Sequence, residues 1–276
     1  MKTLGRLSLR QVAIVAAKEF RERIRNRWIV AVALVFAAFA LLIAYFGAAQ
    51  QGTVGFRGID VTIASLTSLV IYLVPLIVLI LGYDAIAGER ERGSLDLLLS
   101  LPITRFELLL GKFAGLAAAL AASTLAGFGL AGIAIAVQAD ASALVHYAGF
   151  VLSALLMGMA FLSMAVMVSV IAADRARASG AAIALWFFFV LVFDLALLGA
   201  LVMTGGQAGG DVLPYLLLAN PADVFRILNI FGMKEVQSLY GLATVMPPAL
   251  AEPWLLGGVM LLWIVAPLAV ATWRFK

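Results

Sequence analysis

The 276-residue chain has no cysteine and a single histidine, His146. The first absence excludes disulfides, zinc–thiolate sites and thiol relays. The second, added to it, argues against a metal centre built from the usual nitrogen and sulfur ligands. Charge is scarce as well. Only 12% of residues are Asp, Glu, Lys or Arg, against 64% hydrophobic, where soluble domains run to about 25% charged and about 45–50% apolar. No G-x-x-x-x-G-K-[ST] phosphate loop is present, because the one Gly-Lys pair, Gly111–Lys112, lacks the rest of the motif. The chain therefore holds no P-loop with which to hydrolyse ATP. No set of nucleophile, base and orienting group is visible either.

What is present is long apolar runs, and a mean hydropathy of +1.10. Six stretches, near 28–47, 62–83, 109–137, 146–172, 179–203 and 254–273, are uncharged or nearly so. A run of about 20 helical residues crosses the hydrocarbon core of a bilayer. Helices are the expected form, since the runs do not alternate as barrel strands would and lipid offers no partner to free backbone groups. The expectation is an all-α integral membrane protein, with one transmembrane domain over 1–276 and six spans within 28–273. The first run begins near Trp28 behind a long charged stretch, so it reads as a retained anchor rather than a cleaved signal. Pro75 and Pro267 predict kinks, and Gly111 with Gly115 offers a close-packing GxxxG face.

The pI of about 9.6 could suggest nucleic acid, but the placement of the basic residues points to a membrane instead. All but three of the 19 Lys and Arg residues fall on one side of the predicted spans, the exceptions being Arg57, Arg226 and Lys234. The positive-inside rule then places both termini in the cytoplasm. Residues 1–27 form a basic amphipathic helix, with Leu9, Val12, Ala16, Phe20 and Ile24 on one face. It is expected to lie in the interface with its cations toward anionic lipid, and Glu19 with Arg23 forms an i,i+4 pair. On the outer side, Gly205, Gly206, Gly209 and Gly210 open a flexible loop. Asn220, Pro221 and Asp223 start a helix that rests on or dips into the outer interface, before Pro247 and Pro248 end it.

The scarce charges cluster in one cytoplasmic loop, GERERGSLDLLLSLPITR, from Gly88 to Arg105. Glu89, Arg90, Glu91 and Arg92 alternate in sign. Gly93 permits a sharp turn, Ser94 can cap a short helix, and Leu95, Leu98 and Leu99 share a face. Pro102 ends that helix, and Thr104 with Glu107 forms a capping box that opens the third span. A rigid short helix flanked by charges of both signs suits docking into a soluble partner.

Other residues have two readings. Asp194 is the one acid deep inside a span. It is either a point on a transport or proton pathway, or a carboxyl hydrogen-bonded to Ser, Thr or backbone on a neighbouring helix. Asp84 lies at headgroup level, and His146 reads as an interfacial anchor. Met157, Met159, Met164 and Met167 could suggest Cu(I), but gap-filling in a helix bundle accounts for them.

Taken together, the basic amphipathic N-terminus, GYDAIAGERERGSLDLLLSLPITRFELLLGK and NPADVFRIL resemble the permeases of ABC-2 type ABC transporters, along essentially the whole chain. Within that class the likeness is nearest to permeases serving nitrous oxide reductase maturation. The resemblance implies a homodimer with two copies of a cytoplasmic ATPase, which binds the ATP and Mg, and a periplasmic accessory protein. It implies no cofactor on this chain and a location in the bacterial inner membrane. It implies that the segment from Glu89 to Ser100 couples to the ATPase, with Asp174, Arg175 and Arg177 as a second contact. It also implies a role in assembling the copper–sulfur cluster of the reductase, by exporting a sulfur species or by transmitting force. Other cargo (lipid, polysaccharide or peptide) and a cargo-free membrane scaffold are the competing expectations.

Overall fold

A computed structural model describes residues 8–46, 59–136, 141–204, 212–230, 250 and 252–275. Among them every regular element is helical. Five helices are long and apolar enough to cross a membrane, and a bent pair raises the number to as many as six. The bent pair is α1 (Leu9–Arg25) and α2 (Trp28–Phe46). The two meet at 65°, across Asn26 and Arg27, the latter in left-handed backbone at φ 54. At 1.5 Å per residue the 19 residues of α2 extend about 28 Å, enough for a span.

Helix α3 (Ile59–Gly82) contains Pro75. It leads into a loop with two short helices, α4 (Ala87–Glu91) and α5 (Ser94–Ser100). Helices α6 (Arg105–Ala136) and α7 (Ala141–Ile171) follow. The next span is α8 (Arg175–Phe187), a π-helical segment at Phe188–Val192, and α9 (Phe193–Met203). Two short helices, α10 (Leu213–Leu217) and α11 (Pro221–Ile230), precede α12 (Pro253–Arg274).

Helix α7 is the central column. Its span is 72% buried, against 22% for the α8–α9 span and for α12. Its serines tie it to neighbours at successive depths. Ser153 bonds Asn229 of α11, and Ser163 donates to Trp263 O of α12 at 3.0 Å. Near the end of α7, Ser169 accepts from the amides of Ile86 and Ala87 at 2.9 Å each. Without water, each buried hydroxyl must find a protein partner, so these bonds also fix the helix register. Met157 and Met164 pack inside the same column. A run of rings crosses the bundle from α2 to α11. Phe36 stacks on Phe128 at 5.1 Å, Phe128 meets Phe150 at 5.5 Å, and Phe150 meets Phe225 at 5.8 Å.

Two helices have neighbours that local patterning did not name. Helix α1, expected in the interface, packs along α6 in the same direction. Ser8 meets Glu107, and a Cβ at Gly111 would come within 2.6 Å of Val15 Cβ, one at Gly115 within 2.5 Å of Ala16 O. The GxxxG face predicted on α6 is thus occupied by α1. Helix α11 does not rest on the surface. Val224, Phe225 and Ile227 are buried, because the ring run and the Ser153–Asn229 bond draw it into the bundle. Arg57, Lys234, the loop glycines 205–210 and Pro247–Pro248 lie outside the described residues.

Candidate functional site

The loop between α3 and α6 is built around Gly93, whose φ of 70 makes the turn that separates α4 from α5. A residue with a Cβ would be strained there. Ser94 does not cap α5: Gly93 holds that position, and the Ser94 hydroxyl donates to the Glu89 carboxylate. The capping box forms as expected. Thr104 N donates to Glu107 Oε2 at 2.8 Å, and Glu107 N to Thr104 Oγ1 at 3.1 Å. The second Glu107 oxygen accepts from Ser8 N at 2.7 Å, and Gln11 donates to Pro102 O at 2.6 Å. Helix α1 is thereby fastened to the end of the loop.

The four alternating charges have four different positions. Glu89 is buried and accepts from Lys112 Nζ at 3.2 Å. Lys112, also buried, donates to Glu19 Oε1 at 2.5 Å. This one ammonium therefore joins α1, α4 and α6. Glu19 is drawn to Lys112 rather than to Arg23, and the i,i+4 pair on α1 is Lys18–Glu22 at 3.5 Å. Arg90 reaches the end of α7, donating to Ala172 O at 2.5 Å and Val170 O at 3.2 Å. Those are carbonyls of a helix C-terminus, which lack partners within the helix and favour a cation.

Glu91 accepts from the Arg175 amide at 3.2 Å, at the start of α8. Arg92 faces Asp84 at 3.7 Å, and Arg175 Nε reaches the same carboxylate at 2.9 Å. Asp174 caps α8, accepting from Arg177 N at 2.7 Å. A Cβ on Gly88 would fall 2.0 Å from Asp84 Oδ1, so a side chain there would push this carboxylate aside. The two loops expected to work together, at 89–100 and 174–177, are in direct contact.

What the loop leaves open is apolar. Leu95 is buried and Leu98 and Leu99 half-buried, while Leu97 is 71% exposed and Leu101 52%. Beside them Arg92, Asp96 and Arg105 are exposed. The result is a knob with a greasy tip, a charged rim and a base bonded to α1, α3, α6 and α7.

A second charged cluster lies in the other half of the α8–α9 span. Asp194 Oδ2 pairs with Arg226 Nη2 at 2.8 Å, and Arg226 also bonds Asp223. Of the two readings of Asp194, neither names this partner, since Arg226 lies on the outer helix. Asn220 caps α11, accepting from Ala222 N at 3.0 Å. Its amide donates to Asp223 at 2.9 Å and to Phe189 O at 2.8 Å. Phe189 belongs to the π-helical segment, where the shifted ladder leaves a carbonyl free to accept. Nearby, His146 lines a cavity of about 250 Å³ with Ser153, Leu228 and Asn229. Among the described residues no three His, Asp or Glu side chains gather as a metal site.

Lys112, Glu19 and Arg226 are the members of these clusters to which local sequence reading gave no such role. The signal that could have found Lys112 is an ammonium two turns into an apolar helix, which demands a counter-charge from elsewhere.

Comparison with known proteins adds an independent line. The family model described as ABC-2 family transporter protein matches residues 13–276. A Probable ABC transporter permease protein NosY from Pseudomonas aeruginosa is 45% identical over 268 residues, covering 95% of this chain and 96% of that protein. A Probable ABC transporter permease protein NosY from Stutzerimonas stutzeri is 42% identical over 275 residues, covering 97% and 99%.

Proposed function

Because this chain belongs to the ABC-2 family of transporter permeases, we propose that it is the membrane subunit of an ATP-driven machine whose engine is a separate ATPase. The observation that carries the reading is the knob: exposed Leu97 and Leu101 stand on a base whose charges are bonded inward. A soluble partner gains apolar area from the leucines and register from Arg92, Asp96 and Arg105. The other charges serve a different purpose. Glu89, through Lys112 and Glu19, passes a push on α5 into α6 and α1. Arg90 and Glu91 pass it to the end of α7 and the start of α8. Asp174, Arg175 and Arg177 border the same contact.

The positive-inside bias supports a cytoplasmic location for this loop and for both termini, in a bacterial inner membrane. On this reading the ATPase is a NosF-like dimer holding ATP and Mg, the permease is paired with a second copy of itself, and a NosD-like protein meets it on the periplasmic side. The chain itself carries no cofactor. The task is to supply a sulfur species, or mechanical force, for the copper–sulfur cluster of nitrous oxide reductase. The names of the two relatives support that context. The cargo-free scaffold is less well supported, since its working surface would be α11, whose apolar face is buried in the bundle.

The test is recovery of the tagged chain from native membranes with its bound partners. The expected result is a stoichiometric ATPase that crosslinks to Leu97→Cys. Recovery of a folded, functional permease with no nucleotide-binding protein attached would refute the reading.

A further inference from the structure

Helix α1 has three different faces. Val12, Val15, Ala16 and Glu19 pack against α6, with Val12 and Glu19 buried. Leu9, Ala13, Phe20 and Ile24 form an apolar strip, on which Leu9 is 73% and Ile24 49% exposed. Arg10, Arg21 and Arg25 are exposed on the remaining side, within about a sixth of the helix circumference. Lys18 is held by Glu22 at 3.5 Å. Among the described residues no carboxylate pairs with Arg10, Arg21 or Arg25.

The depth of this basic strip follows from α6. The charged residues of α6, Arg105, Glu107 and Lys112, all lie in its first turns, and Phe113–Ala136 carries none. That uncharged part is about 36 Å long, enough to cross the hydrocarbon core. The first turns therefore stand at headgroup depth, and α1 packs against them at Gly111 and Gly115. The 65° bend tilts α1 away from the axis of α2. A helix at that depth, apolar on one strip and cationic on the next, matches the surface of an anionic leaflet.

We propose that Arg10, Arg21 and Arg25 bind the headgroups of anionic phospholipids, and that this hold braces the knob through α1. An anionic phosphate supplies the counter-charge that these guanidiniums lack within the chain, and accepts their paired N–H groups. A zwitterionic headgroup carries its own cation beside the phosphate, so it competes poorly. The bracing follows from the bundle face of the same helix. Ser8 N donates to Glu107, Gln11 to Pro102 O, and Glu19 shares Lys112 with Glu89 of α4. Whatever anchors α1 thereby steadies both ends of the loop that carries α5. The lipid contact needs only this geometry, while its use rests on the reading of the knob as the docking element.

The test is hydrogen exchange on the full chain in phosphatidylcholine nanodiscs, with and without phosphatidylglycerol. No ATPase is present, so a failure here leaves the ATPase reading standing, and the converse holds too. The expected result is that phosphatidylglycerol slows exchange in α1 and in α5, but not in α11. The slowing should reach at least about fivefold, the worth of one arginine at an anionic surface. It should be lost in the triple variant Arg10→Gln, Arg21→Gln, Arg25→Gln and kept when the same three positions become Lys. An equal slowing in the Gln variant overturns the lipid site. A response in α1 that never reaches α5 overturns the bracing. Should the triple variant not fold, the parent decides by itself. Salt at about 1 M cuts the screening length to about 3 Å, so the effect of phosphatidylglycerol should vanish there, and its survival refutes the proposal.

Discussion

Lys112 and Glu19 stand 93 positions apart in the chain and meet at 2.5 Å. The contact lies where α1 crosses the first turns of α6, and Glu89 completes it from the loop. One ammonium thus bonds two buried carboxylates, and the three groups belong to three separate elements. Removing one partner of a buried ion pair costs about 3–5 kcal/mol, because the other charge is left without compensation. Lys112→Met leaves two such charges. The expected outcome is a large fall in the midpoint of thermal denaturation in detergent. Adding Glu19→Gln and Glu89→Gln to Lys112→Met should recover most of it. A single Lys112→Met variant as heat-resistant as the parent would remove the triad from the account.

Helix contact through missing side chains gives a second prediction. Gly115→Ala places a methyl 2.5 Å from a backbone oxygen of α1, whereas a Cβ at Gly129 meets nothing within 4 Å. Backbone cannot step aside as a flexible side chain can, so Gly115→Ala should destabilise by about 1–3 kcal/mol through overpacking. Gly129→Ala should leave the melting midpoint unchanged or slightly raised. Equal midpoints for the two variants would mean that α1 is not seated on α6 in the folded protein.

Much of this architecture is legible in sequence, for a definite reason. Lipid leaves a long apolar run one solution, so helix identity follows from length and composition. Local motifs are equally readable. Thr104 and Glu107 form the expected box, Asn220 caps the expected helix, and Gly93 makes the expected turn. What resists reading is the choice among distant partners. Nothing in the spacing near Lys112 selects Glu19 and Glu89 over other acids, and local periodicity favours the wrong pairing, Glu19 with Arg23. The depth of α11 is hidden for the same reason. Its apolar face fits an interface as well as a bundle, and only Phe150 and Ser153, about 75 positions upstream, decide between them.

The Asn220 cap has a measurable consequence. Its side chain satisfies the α11 N-terminus and the stray carbonyl of Phe189 together. Asn220→Ala loses the cap, worth about 0.5–2 kcal/mol, and leaves a buried carbonyl unpaired at a further cost of about 1–3 kcal/mol. Hydrogen exchange should speed up at the amides of Ala222 to Val224, with little change in α6. Protection of those amides equal to the parent would show that the cap contributes nothing to holding α11.

The knob itself can be divided into tip and base by two substitutions. The Leu97 side chain is exposed, so Leu97→Asp should leave the stability within about 0.5 kcal/mol of the parent. If the tip enters an ATPase, the same change buries a carboxylate in an apolar contact and should release the partner on size-exclusion chromatography. Arg90 presents the opposite case. Its guanidinium holds two terminal carbonyls of α7, so Arg90→Ala should lower the melting midpoint and loosen the loop while the leucine tip stays intact. Binding would then survive, but ATP turnover would no longer respond to the state of the permease. The pair distinguishes attachment from transmission. Loss of binding in Arg90→Ala with retained binding in Leu97→Asp would reverse the assignment and place the docking surface on the charged base.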